Sequence, residues 1–283
     1  MEKTVHLVDL DETLIRVDVQ PWIIKKTEPN VPIIRLSISD RKLIESEFFK
    51  KDDLLIKYSG KEYWISQQMK DLLDKKAGRE VKLTDYGVSY AEWFDPDLIK
   101  EQTKNAEFLI NNVSILKNTT EDVMIVSDRA NLDLHSDLID YVKTELNNIN
   151  VAVKNVYFIS KNNLKTYIDD STYDKIVLIL EKMIGYKIID GVFTDIKTDQ
   201  YNKVSFYDND RNICSEAKNI QTFLNTFYFK SEDKIKNLVL EHIKSNMPFL
   251  KIFQITNNEF NPYLIESVIL AKPYRINKFN FFK

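Results

Sequence analysis

A short apolar segment that ends in two carboxylates constrains the fold of this chain more than any other feature. Residues 5–14 read VHLVDLDETL, so the apolar run stops at Asp9 and Asp11, and Thr13 follows two positions later. Such a run is typical of a buried strand in a parallel sheet. In open α/β sheets, reacting groups lie just beyond the carboxyl ends of these strands. The segment therefore predicts an α/β fold with Asp9 and Asp11 at the reactive edge of its sheet.

The chemistry of these two carboxylates follows from their closeness in sequence. Two neighbouring carboxylates repel each other, and burying them requires a cation or a shared proton. Mg²⁺ is a hard ion that suits oxygen ligands of this kind. One carboxylate can attack phosphorus as a nucleophile, and a second one with a raised pKa can protonate the leaving oxygen. The alternative interpretation is that Asp9 and Asp11 only begin a turn, as Asp often does where a strand ends.

The sequence DLDET after an apolar strand resembles the first motif of the haloacid dehalogenase (HAD) superfamily of phosphotransferases. The resemblance implies a Rossmann-like core with a parallel sheet. It also implies three further signals in a set order. These are a Ser or Thr that ends a second strand, a Lys that opens a later helix, and an acidic pair that ends another strand.

The second signal is the run VMIVS at 123–127, which ends at Ser127 and is followed by Asp128 and Arg129. The resemblance implies that Ser127 and Arg129 bind the substrate phosphate. Ser127 also fits a helix N-cap, because Ser is preferred there. Both interpretations hold together, since a helix N-terminus itself favours an anion. The residues that follow have helical spacing, namely Leu134, Leu138, Val142 and Leu146.

The third signal is assigned to Lys175, which in the family offsets negative charge on the carboxylate and the phosphate. Ser171 and Thr172 suit caps, Asp174 suits a first turn, and the apolar run IVLIL follows. Three other lysines remain alternatives for this position, namely Lys154, Lys161 and Lys165.

The fourth signal is the run VSFYDND at 204–210, where Asp208 stands at the end of the predicted strand. Asn209 occupies the place of the second Asp in many family members, so the outer metal ligand stays open among Asp208, Asn209 and Asp210. The ligands that the resemblance implies for Mg²⁺ are Asp9, Asp208 and the backbone carbonyl of Asp11.

The resemblance implies a phosphatase that works through an aspartyl-phosphate. Asp9 attacks phosphorus in line, while Asp11 protonates the leaving oxygen and then deprotonates the attacking water. Thr13 and Ser127 orient Asp11 and the phosphate. The leading substrate is a small phosphorylated metabolite or a nucleotide. Two alternatives remain: a polynucleotide 3′-phosphatase of nucleic-acid repair, and a HAD fold kept as a binding or structural module without turnover.

The length of the segment at 15–94 favours an inserted subdomain, and the resemblance implies that it is a cap on a HAD-like core at 1–14 and 95–256. The C-terminal tail at 257–283 has no assigned role. The insertion is too long for a structureless loop. It contains an alternating segment around Ile34 and a predicted hairpin at Ser59 and Gly60. Bases and aromatics that suit phosphates and stacked bases surround this hairpin, namely Lys57, Tyr58, Lys61, Tyr63 and Trp64. The other interpretation is a small core of the cap itself.

Further elements follow from periodicity. The sequence predicts a helix from 95 to about 116, strands at 123–127, 151–159 and 204–208, helical structure from 212 to about 246 with a break near Tyr228, and a strand at 249–256.

Composition favours a cytoplasmic enzyme that does not bind membranes. The 283 residues suggest roughly two domains. The single cysteine, Cys214, excludes an intramolecular disulfide, disfavours a zinc cluster and suits buried packing. No apolar stretch is long enough to span a bilayer, and the first strand begins too near Met1 for a signal peptide. The net charge of −3 gives no global basic field, and the five glycines form no phosphate-binding loop.

Overall fold

The structure is a computed structural model that describes residues 3–16, 22–25, 27–35, 54–58, 61–65, 74–75, 78–80, 82, 86–89, 97, 100–101, 104, 107–130, 136–160, 167–256 and 259–274. In chain order its strands are β1 (Thr4–Val8), β2 (Ile15–Arg16), β3 (Trp22–Lys25), β4 (Glu28–Arg35), β5 (Leu54–Tyr58), β6 (Lys61–Ile65), β7 (Tyr86–Ser89), β8 (Glu107–Phe108), β9 (Asp122–Ala130), β10 (Val153–Ser160), β11 (Tyr186–Ile189), β12 (Val192–Lys197), β13 (Lys203–Asp208), β14 (Phe249–Thr256) and β15 (Glu259–Ile269). Its helices are α1 (Ile110–Leu116), α2 (Ser136–Asn148), α3 (Tyr167–Ile184), α4 (Arg211–Ala217), α5 (Ile220–Lys230) and α6 (Asp233–Asn246).

The chain divides into two compact units. The first comprises Met1–Val17, Thr103–Lys161 and Ile168–Lys283, and the second comprises Asp18–Gln102 with Asn162–Tyr167. The second unit overlaps the insertion predicted at 15–94. The role of that insertion as a cap stays a prediction.

A six-stranded sheet forms the centre of the first unit, in the order β10-β9-β1-β13-β14-β15. The first five of these strands run parallel, and β15 pairs antiparallel with β14. The predicted α/β class with a mostly parallel central sheet is therefore confirmed. Its topology is compatible with a Rossmann-like fold.

Alternation along the strands directs apolar side chains to one face of this sheet, because successive residues of a strand point to opposite faces. Val5 and Leu7 of β1 are fully buried in the main apolar cluster. His6 lies between them, and its ring bonds to Tyr207 and Glu121 instead. The neighbouring strands supply the rest of this buried face, namely Met124, Val126, Val204, Phe206, Leu250 and Ile252. Apolar residues of α3, α4, α5 and α6 pack against it.

Cys214 of α4 belongs to this cluster and is fully buried, as predicted for a packing thiol.

Across the described ranges, no helix has both the length and the apolar character needed to cross a membrane.

The second unit contains a three-stranded antiparallel sheet in the order β4-β3-β7. It also contains the predicted hairpin, because β5 and β6 pair antiparallel with Tyr58 opposite Lys61. Ser59 and Gly60 themselves, and the side chains of the predicted basic and aromatic group, lie outside what the structure describes.

The single helix predicted from 95 to 116 is wrong in its middle. Glu107–Phe108 form β8, which pairs antiparallel with β2 through Ile15 and Phe108. The described residues before β8 are helical, namely Asp97, Lys100, Glu101 and Lys104, and α1 follows it. Pairing with the chain that leaves the first motif overrides the local helical spacing, because propensity is a weak signal beside tertiary contacts.

The helical region predicted from 212 to 246 is three helices, separated at 218–219 and 231–232. The second break lies three residues beyond the predicted one at Tyr228, and Ser231 explains its position. The Ser231 hydroxyl donates to Phe227 O at 2.7 Å and accepts from Phe193 N at 2.8 Å. The residue at this break therefore binds a backbone amide of β12, which is distant in sequence.

The C-terminal tail, for which the sequence predicted no role, adds β15 to the edge of the sheet. Its next residues run along α5, where the Gln221 side chain accepts from Ala271 N at 2.8 Å and donates to Ala271 O at 3.2 Å. Part of the tail is thus integral to the first unit.

A buried histidine joins α6 to α3. His242 Nε2 donates to Met183 O at 2.8 Å, and Asn246 Nδ2 lies 3.0 Å from His242 Nδ1. Burial holds the pKa of His242 below its usual range, so folding favours the neutral ring. The unfolded chain therefore takes up this proton more readily than the folded chain.

We expect this histidine to lower the free energy of unfolding as the pH falls below about 6.5. His242→Gln keeps a donor towards Met183 but cannot take up the proton. The stability difference between wild type and variant, measured by urea unfolding, should shrink between about pH 7.5 and about pH 5. A difference that does not change with pH would contradict this assignment.

Candidate active site

The predicted site residues lie where three adjacent parallel strands end. β1 ends at Val8, which pairs with Tyr207 of β13 and with Ile125 of β9. Asp9 directly follows Val8 in the sequence, and Asp208 directly follows Tyr207. Because the strands are parallel and in register, their carboxyl ends meet at one edge of the sheet, as predicted for reacting groups of an open α/β sheet.

The turn after β1 brings Asp9 and Asp11 to this edge together. Leu10 and Leu14 are fully buried, and Leu14 N donates to Leu10 O at 2.9 Å. Glu12 adopts a left-handed conformation with φ of 57°. The two apolar anchors and this reversal form a tight turn, so that Asp9 and Asp11 are only 4% and 6% exposed.

Two buried hydroxyl groups hold these carboxylates. Thr13 Oγ1 donates to Asp9 Oδ2 at 3.0 Å, and Ser127 Oγ donates to Asp11 Oδ2 at 3.2 Å. Ser127 lies inside β9, and α2 begins only at Ser136, so the helix N-cap interpretation of Ser127 is wrong. Thr13 thus contacts Asp9 and Ser127 contacts Asp11, and the roles that the resemblance implies for both hydroxyl groups stay predictions.

Lys175 connects the strand ends. Its side chain is 1% exposed, and Nζ lies 2.9 Å from Asp9 Oδ1, 2.7 Å from Asp208 Oδ2 and 3.3 Å from Asp128 Oδ1. The prediction that Lys175 opens a helix is wrong, because α3 begins at Tyr167 and Lys175 lies well inside it. Ser171 and Thr172 are therefore helix residues and not caps.

Of the three alternative lysines, Lys154 is the one that the structure describes, and its side chain lies away from Asp9 and Asp208. Lys154 Nζ binds Asp122 Oδ2 and the Tyr201 hydroxyl, each at 2.9 Å. Asp122 begins β9, so this contact lies at the opposite end of that strand. Lys161, Lys165 and the Arg129 side chain lie outside what the structure describes.

The acidic residues after β13 have separate roles. Asp208 is fully buried, and its Oδ1 accepts from Asp210 N at 2.8 Å. The Asp210 side chain instead caps α4 by accepting from Asn212 N at 2.7 Å. Of the three residues left open for this position, Asp208 is the one whose carboxylate contacts Lys175.

Asp128 is a member of the site that the sequence interpretation left without a role. It follows Ser127 directly, and its carboxylate joins those of Asp9 and Asp208 around Lys175. Its position in the sequence could have indicated this role, because Asp128 is an acidic residue directly after Ser127, near the end of an apolar strand.

Burial dominates the electrostatics of the site. It raises the pKa of Asp9 well above its ordinary value, while Lys175 opposes the rise and Asp208 adds to it. Burial likewise raises the pKa of Asp208 to about 6 and raises that of Asp128. For Lys175, burial acts to lower the pKa, but the charges of Asp128, Asp208 and Asp9 outweigh it and raise the pKa. One ammonium thus faces several carboxylates, and a further cation would favour their ionised forms.

No three carboxylate, imidazole or thiol side chains of the described residues form a group that could hold a metal ion.

The chain matches no protein-family model, and no curated protein and no solved structure is significantly similar to it.

Proposed function

We propose that this chain is a Mg²⁺-dependent phosphatase of the HAD type, which hydrolyses a phosphomonoester of a small metabolite or nucleotide through an aspartyl-phosphate. One observation carries the proposal. Lys175 Nζ lies within 2.9 Å of carboxylate oxygens of both Asp9 and Asp208, at the ends of two adjacent parallel strands. Residues that are far apart in sequence thus lie close together, which supports the proposal.

Asp9 acts as the nucleophile in this proposal. One of its oxygens attacks phosphorus in line, the bond from phosphorus to the leaving oxygen breaks, and a phosphoryl group is left on Asp9. Thr13 holds one Asp9 oxygen and Lys175 contacts the other, which supports a fixed direction of attack. The positive charge of Lys175 stabilises the negative charge that the phosphoryl oxygens bring into the buried site.

Asp11 acts as the general acid and base. It gives its proton to the leaving oxygen, and the same carboxylate then takes a proton from the water that hydrolyses the aspartyl-phosphate. The bond from Ser127 Oγ to Asp11 Oδ2 at 3.2 Å supports a defined orientation of this carboxylate. Phosphate and the free enzyme are the products of the second step.

The donor chemistry of the site fits Mg²⁺, because hard oxygen ligands and excess negative charge are what this ion requires. The proposed ligands are two side chains, Asp9 and Asp208, and the backbone carbonyl of Asp11. A set with two side chains is compatible with the lack of a three-side-chain group among the described residues. When bound, the ion would neutralise charge on the transferred phosphoryl group.

Hydrolysis of p-nitrophenyl phosphate with Mg²⁺ or with EDTA tests the proposal. We expect p-nitrophenol release that EDTA abolishes and added Mg²⁺ restores. A panel of nucleotides and 3′-phosphorylated oligonucleotides then separates the substrate classes, since salt weakens binding of a strand far more steeply than binding of a monophosphate. Lack of metal-dependent release from every compound would reject the proposal and favour a module without turnover.

A further inference from the structure

We infer that Asp128 is a positioning residue that holds Lys175 in place during the proposed phosphoryl transfer, because its carboxylate occupies the third side of the Lys175 ammonium group. The inference rests on the proposed function. It adds a residue to which the four motifs assign no role, and it explains how a buried lysine stays in place while the charge beside it changes.

The contacts of Lys175 support a three-point arrangement. Lys175 Nζ donates hydrogen bonds to Asp9 Oδ1 and Asp208 Oδ2, while its contact with Asp128 Oδ1 is an ion pair without a hydrogen bond. Three carboxylates surround Nζ, at 2.9 Å from Asp9, 2.7 Å from Asp208 and 3.3 Å from Asp128. Each comes from a different strand or the turn directly after it, so the lysine ties together the ends of β1, β9 and β13.

The chemistry makes one of these three contacts temporary. When Asp9 forms a bond to phosphorus, its own oxygens lose their negative charge, which is then carried by the phosphoryl oxygens, so the direct contact between Asp9 and Lys175 weakens. Asp208 and Asp128 form no bond to phosphorus and stay beside Nζ. Two fixed carboxylates on different strands therefore determine where Nζ lies throughout the step, whereas a single one would leave the long lysine side chain free to turn.

The surroundings of Asp128 indicate that it acts through Lys175. Its Oδ1 atom is buried, and within the described ranges no group other than the Lys175 ammonium reaches that atom. An unpaired buried carboxylate oxygen is unfavourable. The ion pair with Lys175 is what offsets its burial.

A double-mutant cycle in p-nitrophenyl phosphate hydrolysis tests the inference, using Asp128→Asn in the wild-type chain and in Lys175→Met. In the wild-type chain we expect a loss of kcat of about 10- to 100-fold, in the range that misplacing a catalytic group by ~1 Å produces. KM should change by no more than about twofold. In the Lys175→Met background, Asp128→Asn should cause no further loss, because the group it positions is gone.

Asp122→Asn is the matched control. Asp122 lies on the same strand as Asp128 and also binds a lysine, Lys154, but at the strand's other end. We expect its kcat to match that of the wild type. Asp128→Glu keeps the charge within reach of Nζ and should restore most of the activity lost in Asp128→Asn.

The outcomes separate this inference from the proposed function. If the wild type hydrolyses none of the phosphate esters, the proposed function fails and the inference fails with it. If the wild type is active and Asp128→Asn equals it, only the inference is overturned. Equal losses in both backgrounds would also overturn it, because they indicate a structural role independent of Lys175. If Asp128→Asn does not fold, Asp128→Glu decides: near-wild-type kcat supports the inference, and a loss above about 10-fold with a normal melting temperature overturns it.

Discussion

Replacing Asp9 with Asn is expected to abolish phosphatase turnover, with kcat reduced by at least ~10⁴-fold, while the protein remains folded. An amide of the same shape cannot displace the leaving oxygen from phosphorus to form the acyl phosphate. Residual activity should come only from the remaining groups of the site. The measurement is p-nitrophenyl phosphate hydrolysis with Mg²⁺, together with the melting temperature of each protein.

The same substitution should not destabilise the fold. Burial raises the pKa of Asp9, which means that the folded protein disfavours the ionised carboxylate. Asn removes that charge, and Lys175 keeps its ion pairs with Asp128 and Asp208. We therefore expect an equal or higher melting temperature.

Asp195→Asn, on an exposed position of β12, is the matched control and should leave both activity and stability unchanged. An Asp9→Asn protein that retains kcat within about tenfold of the wild type would show that another group is the nucleophile. A protein that unfolds would instead show that Asp9 is needed for structure.

Replacing Lys175 with Met is expected to destabilise the protein by roughly 3–5 kcal/mol near neutral pH, because it leaves buried carboxylates without their counter-charge. Three carboxylates lose their contact with Nζ at once, and the side chain is 1% exposed, so solvent does little to replace it. We also expect kcat to fall by about 10²- to 10³-fold, which leaves a residual rate that is still measurable. Urea unfolding at several pH values measures the first effect.

The pH dependence has a definite sign. Burial raises the pKa of Asp208 to about 6 in the folded protein, above its ordinary value of 3.8. Such a group contributes stability that is fully present below its unfolded pKa and is lost as the pH rises through its folded pKa. Without Lys175, which lowers this pKa, the loss extends to higher pH. The Lys175→Met defect should therefore be smaller at about pH 5 than at about pH 7.5.

Lys154→Met is the control, because Lys154 was an alternative candidate for the lysine of the third motif. Its side chain is 37% exposed and pairs with Asp122 away from the site, so we expect a loss of about 1 kcal/mol or less and normal turnover. Loss of activity in Lys154→Met with retention in Lys175→Met would reverse the assignment of the lysine. A Lys175→Met defect that grows as the pH falls would contradict the electrostatic explanation.

Local patterns in the sequence were sufficient for the parallel strands. The apolar runs at 5–8, 123–127 and 204–208 correspond to strands β1, β9 and β13, and Asp9 and Asp208 follow or end them as predicted. A buried strand can be predicted from a few consecutive residues, since both of its faces must be apolar. The strand at 249–256 was also predicted with its observed bounds, and in it buried Leu250 and Ile252 alternate with exposed Lys251.

Elements that depend on distant partners were not predicted correctly. The strand at Glu107–Phe108 exists because it pairs with β2, and the break at Ser231 serves an amide of β12. Strand β15 needs the edge of β14 to pair with. In each case the local sequence is compatible with another conformation, and a contact across the fold decides between them.

The candidate site likewise has features that local sequence determines and features that depend on contacts across the fold. The sequence by itself determined which side chains stand at the strand ends, because apolar runs and the polar residues that stop them are local features. Only the tertiary structure decided that Lys175, inside a helix and 166 residues from Asp9, reaches that carboxylate, and that Asp128 joins it. The physical reason is that an ion pair depends on the distance between charges after folding, which parallel pairing of β9, β1 and β13 and the packing of α3 establish together.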